Sequence, residues 1–178
     1  MSGPYTGGCN CGQIRYSLST PPIIVNCCHC TYCQRETGSA FAVNAFYESD
    51  RMTLTSGTSQ DIEVTPIATK SGRAQHLHRC PKCKVVMWSL YGQPAAGDFM
   101  RVVKVGTLDE PARMPVDVHI YAGTKQKWVE LGNHDAKAVF EENAKPKECW
   151  SKESLDRMSK VGEKRRAAKE KGKGGEKL

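Results

Sequence analysis

Nine cysteines in a chain of 178 residues restrict its fold more than any other feature of the sequence. Eight of them fall into three short clusters, and Cys149 stands apart: Cys9 and Cys11; Cys27, Cys28, Cys30 and Cys33; Cys80 and Cys83. The chain opens MSGPYTGGCN, without the charged and apolar stretches of a signal peptide, so we expect a reducing compartment. Clustered cysteines in a reduced protein indicate metal binding rather than a disulfide framework.

The length fits one ordinary domain with a hydrophobic core. The net charge of +7 is concentrated near the C-terminus, where residues 145–178 carry 12 Lys or Arg against 6 Asp or Glu. We therefore predict a folded domain over residues 1–148 and a basic, flexible or helical appendage over residues 149–178. No apolar run approaches the roughly 18 residues of a membrane span. A cytoplasmic protein without membrane contact is the expectation.

Short runs of alternating apolar and polar residues predict an all-β domain of small antiparallel sheets. The apolar members of these runs are Ile14, Tyr16 and Leu18; Phe41, Val43 and Ala45; Met52 and Leu54; Ile62 and Val64; Val86, Trp88 and Leu90; Val116, Val118 and Ile120. Trp128 and Trp150 are predicted to pack in or over the core. A charged helix is predicted to begin near Ser151, whose hydroxyl can cap it.

Cysteine spacing favours two unequal zinc sites. Cys80-Pro81-Lys82-Cys83 is a C-x-x-C turn that directs two sulfurs to one point and supplies half of a tetrahedral site. The other half comes from Cys9 and Cys11 or from part of the CCHCTYC segment. Because Cys28, Cys30 and Cys33 lie within six residues, they can converge on one ion at little loop-closure cost. Cys9 and Cys11 would then complete a four-cysteine site with Cys80 and Cys83.

The second, three-cysteine site would keep an open fourth position, which distinguishes catalytic from structural zinc. The alternative is a closed structural site, with a fourth ligand from Cys27 or from a histidine: His29, His76, His78 or His119. Three thiolates on one dication leave a net charge of −1, which disfavours hydroxide generation. An open site of this kind suits a soft thiolate, so we expect a thiol co-substrate.

Several segments together resemble the glutathione-dependent formaldehyde-activating enzyme family, also called the centromere protein V family. They are GGCNCGQIRY (7–16), CHCTYCQRETGSAFAVNAF (28–46), CPKC (80–83), GTLD (106–109), 115–120 and Lys127-Trp128. The resemblance implies an all-β fold with sheets in a tent-like arrangement around a structural zinc. It also implies that Cys9, Cys11, Cys80 and Cys83 are structural ligands and that Cys28, Cys30 and Cys33 are catalytic ligands.

The family is named for condensing formaldehyde with glutathione to S-(hydroxymethyl)glutathione, a carbon–sulfur lyase reaction. The resemblance implies such an enzyme, acting on a glutathione or other thiol adduct of a small carbonyl compound. Two alternatives are a zinc enzyme for another small-molecule tailoring step in specialised metabolism and a non-enzymatic zinc-clasped binding module. The chain departs from the family pattern at Lys84, where a glycine is common after the second turn. Lysine must avoid a left-handed backbone there or accept strain of about 1 kcal/mol.

Two further residues are candidates for catalysis. Arg35 follows the three-cysteine segment and could bind a substrate carboxylate, although it could equally pair with Glu36 or Asp50. His119 is a candidate general acid or base, with a structural hydrogen-bonding role as the alternative. As partners we expect a small-molecule substrate, including glutathione, and no specific nucleic acid, because acidic residues are interspersed in the basic tail. A homo-oligomer is left open.

Overall fold

The computed structural model describes residues 4–69, 74–91, 99–131 and 138–174. Within these ranges the fold is mostly β, and its helices are Thr31–Thr37 (α1), Pro146–Cys149 (α2) and Lys152–Gly174 (α3). The strands are Tyr5–Gly8 (β1), Arg15–Leu18 (β2), Ile24–Cys28 (β3), Ala42–Glu48 (β4), Met52–Ser56 (β5), Glu63–Ile67 (β6), Gln75–Arg79 (β7), Val86–Tyr91 (β8), Met100–Lys104 (β9), Val118–Ile120 (β10) and Ala138–Val139 (β11). The predicted β domain with a C-terminal helix is confirmed.

The strands form two sheets. One has three antiparallel strands in the order β1-β2-β5, and the other has eight in the order β11-β10-β3-β4-β9-β8-β7-β6. Strand β10 runs parallel to both of its neighbours, β3 and β11. The prediction of purely antiparallel pairing is therefore wrong at this edge. Strand β10 reaches β3 only after a long crossover through the other strands, and such a crossover permits parallel pairing.

The larger core joins the two sheets. Tyr16 and Leu18 of the small sheet pack in one buried cluster with Tyr47 and Trp88 of the large sheet. The rings of Tyr16 and Trp88 meet edge to face, with centroids 6.1 Å apart. Buried aromatic pairs in this geometry add to the free energy gained from area burial. The sheets therefore share one core.

The two other tryptophans differ in burial. Trp150 is half-buried and packs against a second core cluster, in agreement with the prediction. Trp128 is 74% exposed, so its predicted place in or over the core is wrong. Size and apolarity favoured burial, but Trp128 lies outside the strands, in a loop that carries its side chain to the surface.

The C-terminal helix begins as predicted, because the Ser154 N–H donates to the Ser151 hydroxyl at 3.0 Å. Its first half is attached to the β domain. Ser154 donates through its hydroxyl to the Ile23 carbonyl at 2.6 Å, and Arg157 forms an ion pair with Glu48 at 2.6 Å. Val161 is only 2% exposed. No helix in the described ranges has both the length and the apolar character needed to cross a membrane.

Replacing Arg157 with alanine is expected to destabilise the protein by about 3 kcal/mol, because it leaves the Glu48 carboxylate buried without its charge partner. Lys164→Ala is the matched control, since Lys164 pairs with Asp50 where both side chains are more than half exposed. That pair is expected to contribute less than about 1 kcal/mol. Urea unfolding of both variants gives the two free energies. Equal losses would contradict a specific role for the Arg157–Glu48 pair.

Candidate metal centres

Four cysteines from two turns form the first candidate centre, here called the four-thiol cluster. Cys9 and Cys11 follow β1, whereas Cys80 and Cys83 lie in the turn between β7 and β8. Their four sulfurs lie within 4.8 Å of one another. The Cys9–Cys11 and Cys11–Cys80 sulfur distances are 3.6 and 3.7 Å. Zinc–sulfur bonds of about 2.3 Å give tetrahedral edges of about 3.8 Å, so these residues fit zinc.

Backbone hydrogen bonds shape both turns. The Ile14 N–H donates to the Cys9 sulfur at 3.3 Å, and the Lys84 N–H donates to the Cys80 carbonyl at 2.9 Å. Lys84 has φ 61, so it occupies the left-handed region that the family pattern fills with glycine. The turn thus keeps the left-handed backbone conformation at this position, and Lys84 accepts strain of about 1 kcal/mol. The Lys84 ammonium also pairs with Glu63 at 2.6 Å.

The turns also favour a thiolate at Cys83. Burial raises the pKa of the Cys83 thiol, but hydrogen bonds from the backbone N–H groups of Val85 and Cys11 outweigh it and bring the pKa to about 6. Burial raises the pKa of Cys80 to about 11. Metal binding requires deprotonated sulfur, and a bound cation displaces the remaining thiol protons. The backbone of the turn therefore favours the deprotonated sulfur at Cys83 that metal binding requires.

Cys28, Cys30 and Cys33 form the second candidate centre, the three-thiol cluster. Cys28 ends β3, Cys30 is the N-cap of α1 and Cys33 lies in its first turn. The Cys33 N–H donates to the Cys30 sulfur at 3.4 Å, which fixes the turn. All three sulfurs lie within 4.8 Å of one another. Among the described residues, no further cysteine, histidine or carboxylate joins this group.

Hydrogen bonds among these three sulfurs shift their pKa values in opposite directions. Hydrogen bonds from Cys28 and Cys33 hold the pKa of Cys30 far below its ordinary value. The same interactions raise the pKa of Cys33, and the hydrogen bond with Cys30 raises the pKa of Cys28 to about 12. Cys28 and Cys33 are buried, whereas Cys30 is half-buried. Cys30 is thus the accessible member of a set that can hold a metal ion.

Apolar side chains surround the three-thiol cluster. Cys28 and Cys33 belong to the second core cluster, together with Ile120 and Cys149. Partly buried rings pack against this cluster from the loops and strands around it: Phe46, Tyr121, Phe140 and Trp150. Tyr121 has φ 56, a strained left-handed conformation for a non-glycine residue. A low-polarity environment of this kind strengthens any charge interaction at the sulfurs.

Helix α1 is held in place by polar contacts that sequence reasoning missed. Gln34 donates through its amide nitrogen to the carbonyls of His29 and Thr124, at 2.7 and 2.9 Å, and accepts a bond from Gln126 at 2.7 Å. Glu36 pairs with Lys104 at 2.7 Å, and both side chains are almost fully buried. The position of Gln34 directly after Cys33 was the one sequence feature that pointed to a role near the cluster. Its partners Thr124 and Gln126 lie about ninety residues away and had no local sequence signal.

The predicted catalytic residues fall in different places. Arg35 is exposed on α1, and neither of its candidate partners is paired with it, because Glu36 contacts Lys104 and Asp50 contacts Lys164. His119 lies beside Cys27 and His29 instead of joining the three sulfurs. Its Nδ1 is 3.0 Å from His29 Nε2. None of the proposed fourth ligands within the described residues is therefore brought to the three-thiol cluster.

Comparison with known proteins identifies the family of the chain. The family described as glutathione-dependent formaldehyde-activating enzyme matches residues 4–124, so the chain belongs to that family. A Halomonas elongata protein named "Putative glutathione-dependent formaldehyde-activating enzyme" is 23% identical over 136 residues, covering 75% of this chain and 85% of that protein. The family is one of enzymes, and it links the chain to glutathione-dependent activation of formaldehyde.

The two candidate centres are expected to respond differently to loss of one thiol. Cys80→Ser removes a fully buried thiol from a cluster that joins distant parts of the chain, so we expect cooperative unfolding to be lost or the free energy of unfolding to fall by several kcal/mol. Cys30→Ser changes a half-buried residue of a local turn and is expected to leave the fold intact. Thermal unfolding followed by circular dichroism compares the two. Equal destabilisation would contradict the division into structural and accessible centres.

Proposed function

We propose that this chain is a zinc-dependent carbon–sulfur lyase-type enzyme. Its substrate would be the adduct of a thiol, with glutathione the first candidate, and a small carbonyl compound such as formaldehyde. The three-thiol cluster is the observation that carries the proposal, because Cys30 is accessible and no fourth protein donor joins it among the described residues. A reducing compartment such as the cytoplasm would keep these thiols available.

The reaction balances without an oxidant or a leaving group. The thiol adds across the carbonyl group, a carbon–sulfur bond forms, and the thiol proton ends on the carbonyl oxygen. Reversal breaks the same bond and returns the proton to sulfur. Zinc held by Cys28, Cys30 and Cys33 would supply a soft binding position for the substrate sulfur, because three thiolates make it a weak activator of water.

The chain's own contribution is to position the substrate and exclude water. Tyr121, Phe140 and Trp150 pack against the apolar cluster that contains Cys28 and Cys33. Gln34 fixes α1 against the 124–126 loop, so the Cys30–Cys33 turn stays in one geometry. Holding two reactants in one orientation replaces a bimolecular encounter with an effectively unimolecular step. Positioning of the two reactants would be the main source of rate acceleration for such an addition.

Arg35 is proposed to bind a substrate carboxylate. It is exposed, two positions after Cys33, and has no ion-pair partner among the described residues. Glutathione carries two carboxylates, and the planar guanidinium group binds a carboxylate through two parallel hydrogen bonds. The contact would lie at the rim of the site, away from the reacting atoms. It would therefore contribute to binding more than to the chemical step.

The function is tested by the rate at which glutathione and formaldehyde exchange with their adduct, measured by exchange NMR against the unaided reaction. We expect the zinc-loaded protein to accelerate exchange and Cys30→Ser to give the unaided rate while remaining folded. Parallel assays with other thiols and aldehydes test the alternative that the chain is a zinc enzyme for another small-molecule tailoring step. An unaccelerated rate with every pair, in protein whose metal centres are filled, would contradict the proposal and favour a binding module.

Arg35→Ala is expected to raise KM for glutathione about tenfold with little change in kcat, because a contact made equally in the ground and transition states affects binding alone. Arg51→Ala is the matched control, since Arg51 is exposed and pairs with Asp50. Steady-state kinetics of both variants measure the two constants. A loss confined to kcat would contradict carboxylate binding by Arg35.

A further inference from the structure

A third group of side chains that could hold a metal ion lies on the opposite face of β3 from the three-thiol cluster. Cys27, His29 and His119 each direct one donor atom to a common point, and these atoms lie within 4.8 Å of one another. We propose that this set, the Cys27–His29–His119 cluster, binds a further metal ion of the zinc type. The site is distinct from both cysteine centres and shares no donor atom with them.

Strand geometry places the three donors on one face. His119 of β10 lies directly beside Cys27 of β3 in the parallel pair, and Ile120 lies beside Cys28. Side chains of neighbouring strands at paired positions point to the same face, and successive side chains alternate between faces. Cys27 and His119 therefore share one face, whereas Cys28 turns to the other. His29, two residues after Cys27, returns to the face of Cys27.

The distances match a metal-binding geometry. The Cys27 sulfur is 3.6 Å from His29 Nε2, which is 3.0 Å from His119 Nδ1. Zinc bonds of about 2.0 Å to nitrogen and 2.3 Å to sulfur give tetrahedral edges of about 3.5 Å between sulfur and nitrogen and about 3.3 Å between nitrogens. These two distances lie close to the expected values, and the third, between the donor atoms of Cys27 and His119, is within 4.8 Å. His119 is the half-buried member of the set, whereas Cys27 and His29 are buried.

The donor set selects the class of metal. One thiolate and two neutral imidazoles suit zinc, cobalt or copper, whereas calcium and magnesium prefer oxygen ligands. On binding, the Cys27 thiol would release its proton to solvent, so that one negative charge faces the dication. The site would then carry a net charge of +1, in contrast to −1 at a zinc in the three-thiol cluster. It would be the more electrophilic of the two.

The His29 ring is held in position before any metal binds. The backbone N–H of His29 donates to the Ile120 carbonyl at 3.0 Å, which fixes the main chain at this residue. The His29 ring stacks on the His119 ring with centroids 5.3 Å apart. The side chain is fully buried, and its Nδ1 has no hydrogen-bond partner among the described residues. Nε2 is thus the nitrogen through which this buried ring interacts. A metal ion there would give a stronger partner than a histidine nitrogen alone.

Metal content and ligand type test the proposal on the full chain. After chelator treatment and reloading with zinc, we expect Cys27→Ser and His119→Ala each to bind about one ion fewer than the wild type. Cys149→Ser is the matched control, because this buried thiol belongs to none of the donor groups in the described structure, and it should bind as many ions as the wild type. X-ray absorption at the zinc edge should show imidazole ligands in the wild type and lose them in His119→Ala.

Two results would overturn the proposal: equal zinc content in the wild type, Cys27→Ser and His119→Ala, or a wild-type spectrum without imidazole. The spectrum needs no variant, so it remains decisive if a substitution weakens the fold. Because the readout is a difference in ion content, it does not depend on how many ions the cysteine centres hold. Cys30→Ser separates the two proposals, since it should abolish adduct exchange while leaving the imidazole signal unchanged.

Discussion

The four-thiol cluster joins two parts of the chain that are distant in sequence. Cys9 and Cys11 follow the first strand of the small sheet, whereas Cys80 and Cys83 lie between two strands of the large sheet. The loop between the two pairs spans about seventy residues, and its closure is entropically unfavourable without a strong contact. Convergence of four sulfurs fixes both sheets against the shared core of Tyr16 and Trp88. The three-thiol cluster and the Cys27–His29–His119 cluster both lie on the eight-stranded sheet.

Strand β3 then determines where the other donors lie. All five of its residues are buried, and its alternation sends Cys28 to one face and Cys27 to the other. On one side, α1 brings Cys30 and Cys33 to Cys28, and on the other, β10 brings His119 to Cys27. The parallel pairing of β10 is essential to this arrangement. A shift of one residue in its register would exchange His119 with a neighbouring apolar side chain and remove the imidazole from the donor set.

The sequence was informative where periodicity or spacing was strong. The alternation of Tyr16 and Leu18 and of Val86 and Trp88 indicated β2 and β8, and the cysteine spacing indicated both cysteine groups. Strand β3 was missed because residues buried on both faces lose the alternation that reveals a strand. The neighbours of His119 were also hidden, because its placement depends on a parallel pairing about ninety residues away in sequence. Contacts of that range have no local signal.

The metal donors and their apolar surroundings come from different parts of the chain. Every cysteine of the two cysteine centres lies within residues 4–124, the span shared with the family. Phe140, Ala144 and Trp150 lie beyond that span, yet they pack against the core cluster that contains Cys28 and Cys33. Arg157 and Ser154 attach the following helix to the domain and so restrain the segment that carries these side chains. The C-terminal part therefore contributes to the apolar surroundings of the three sulfurs, whereas the sulfurs themselves come from the span shared with the family.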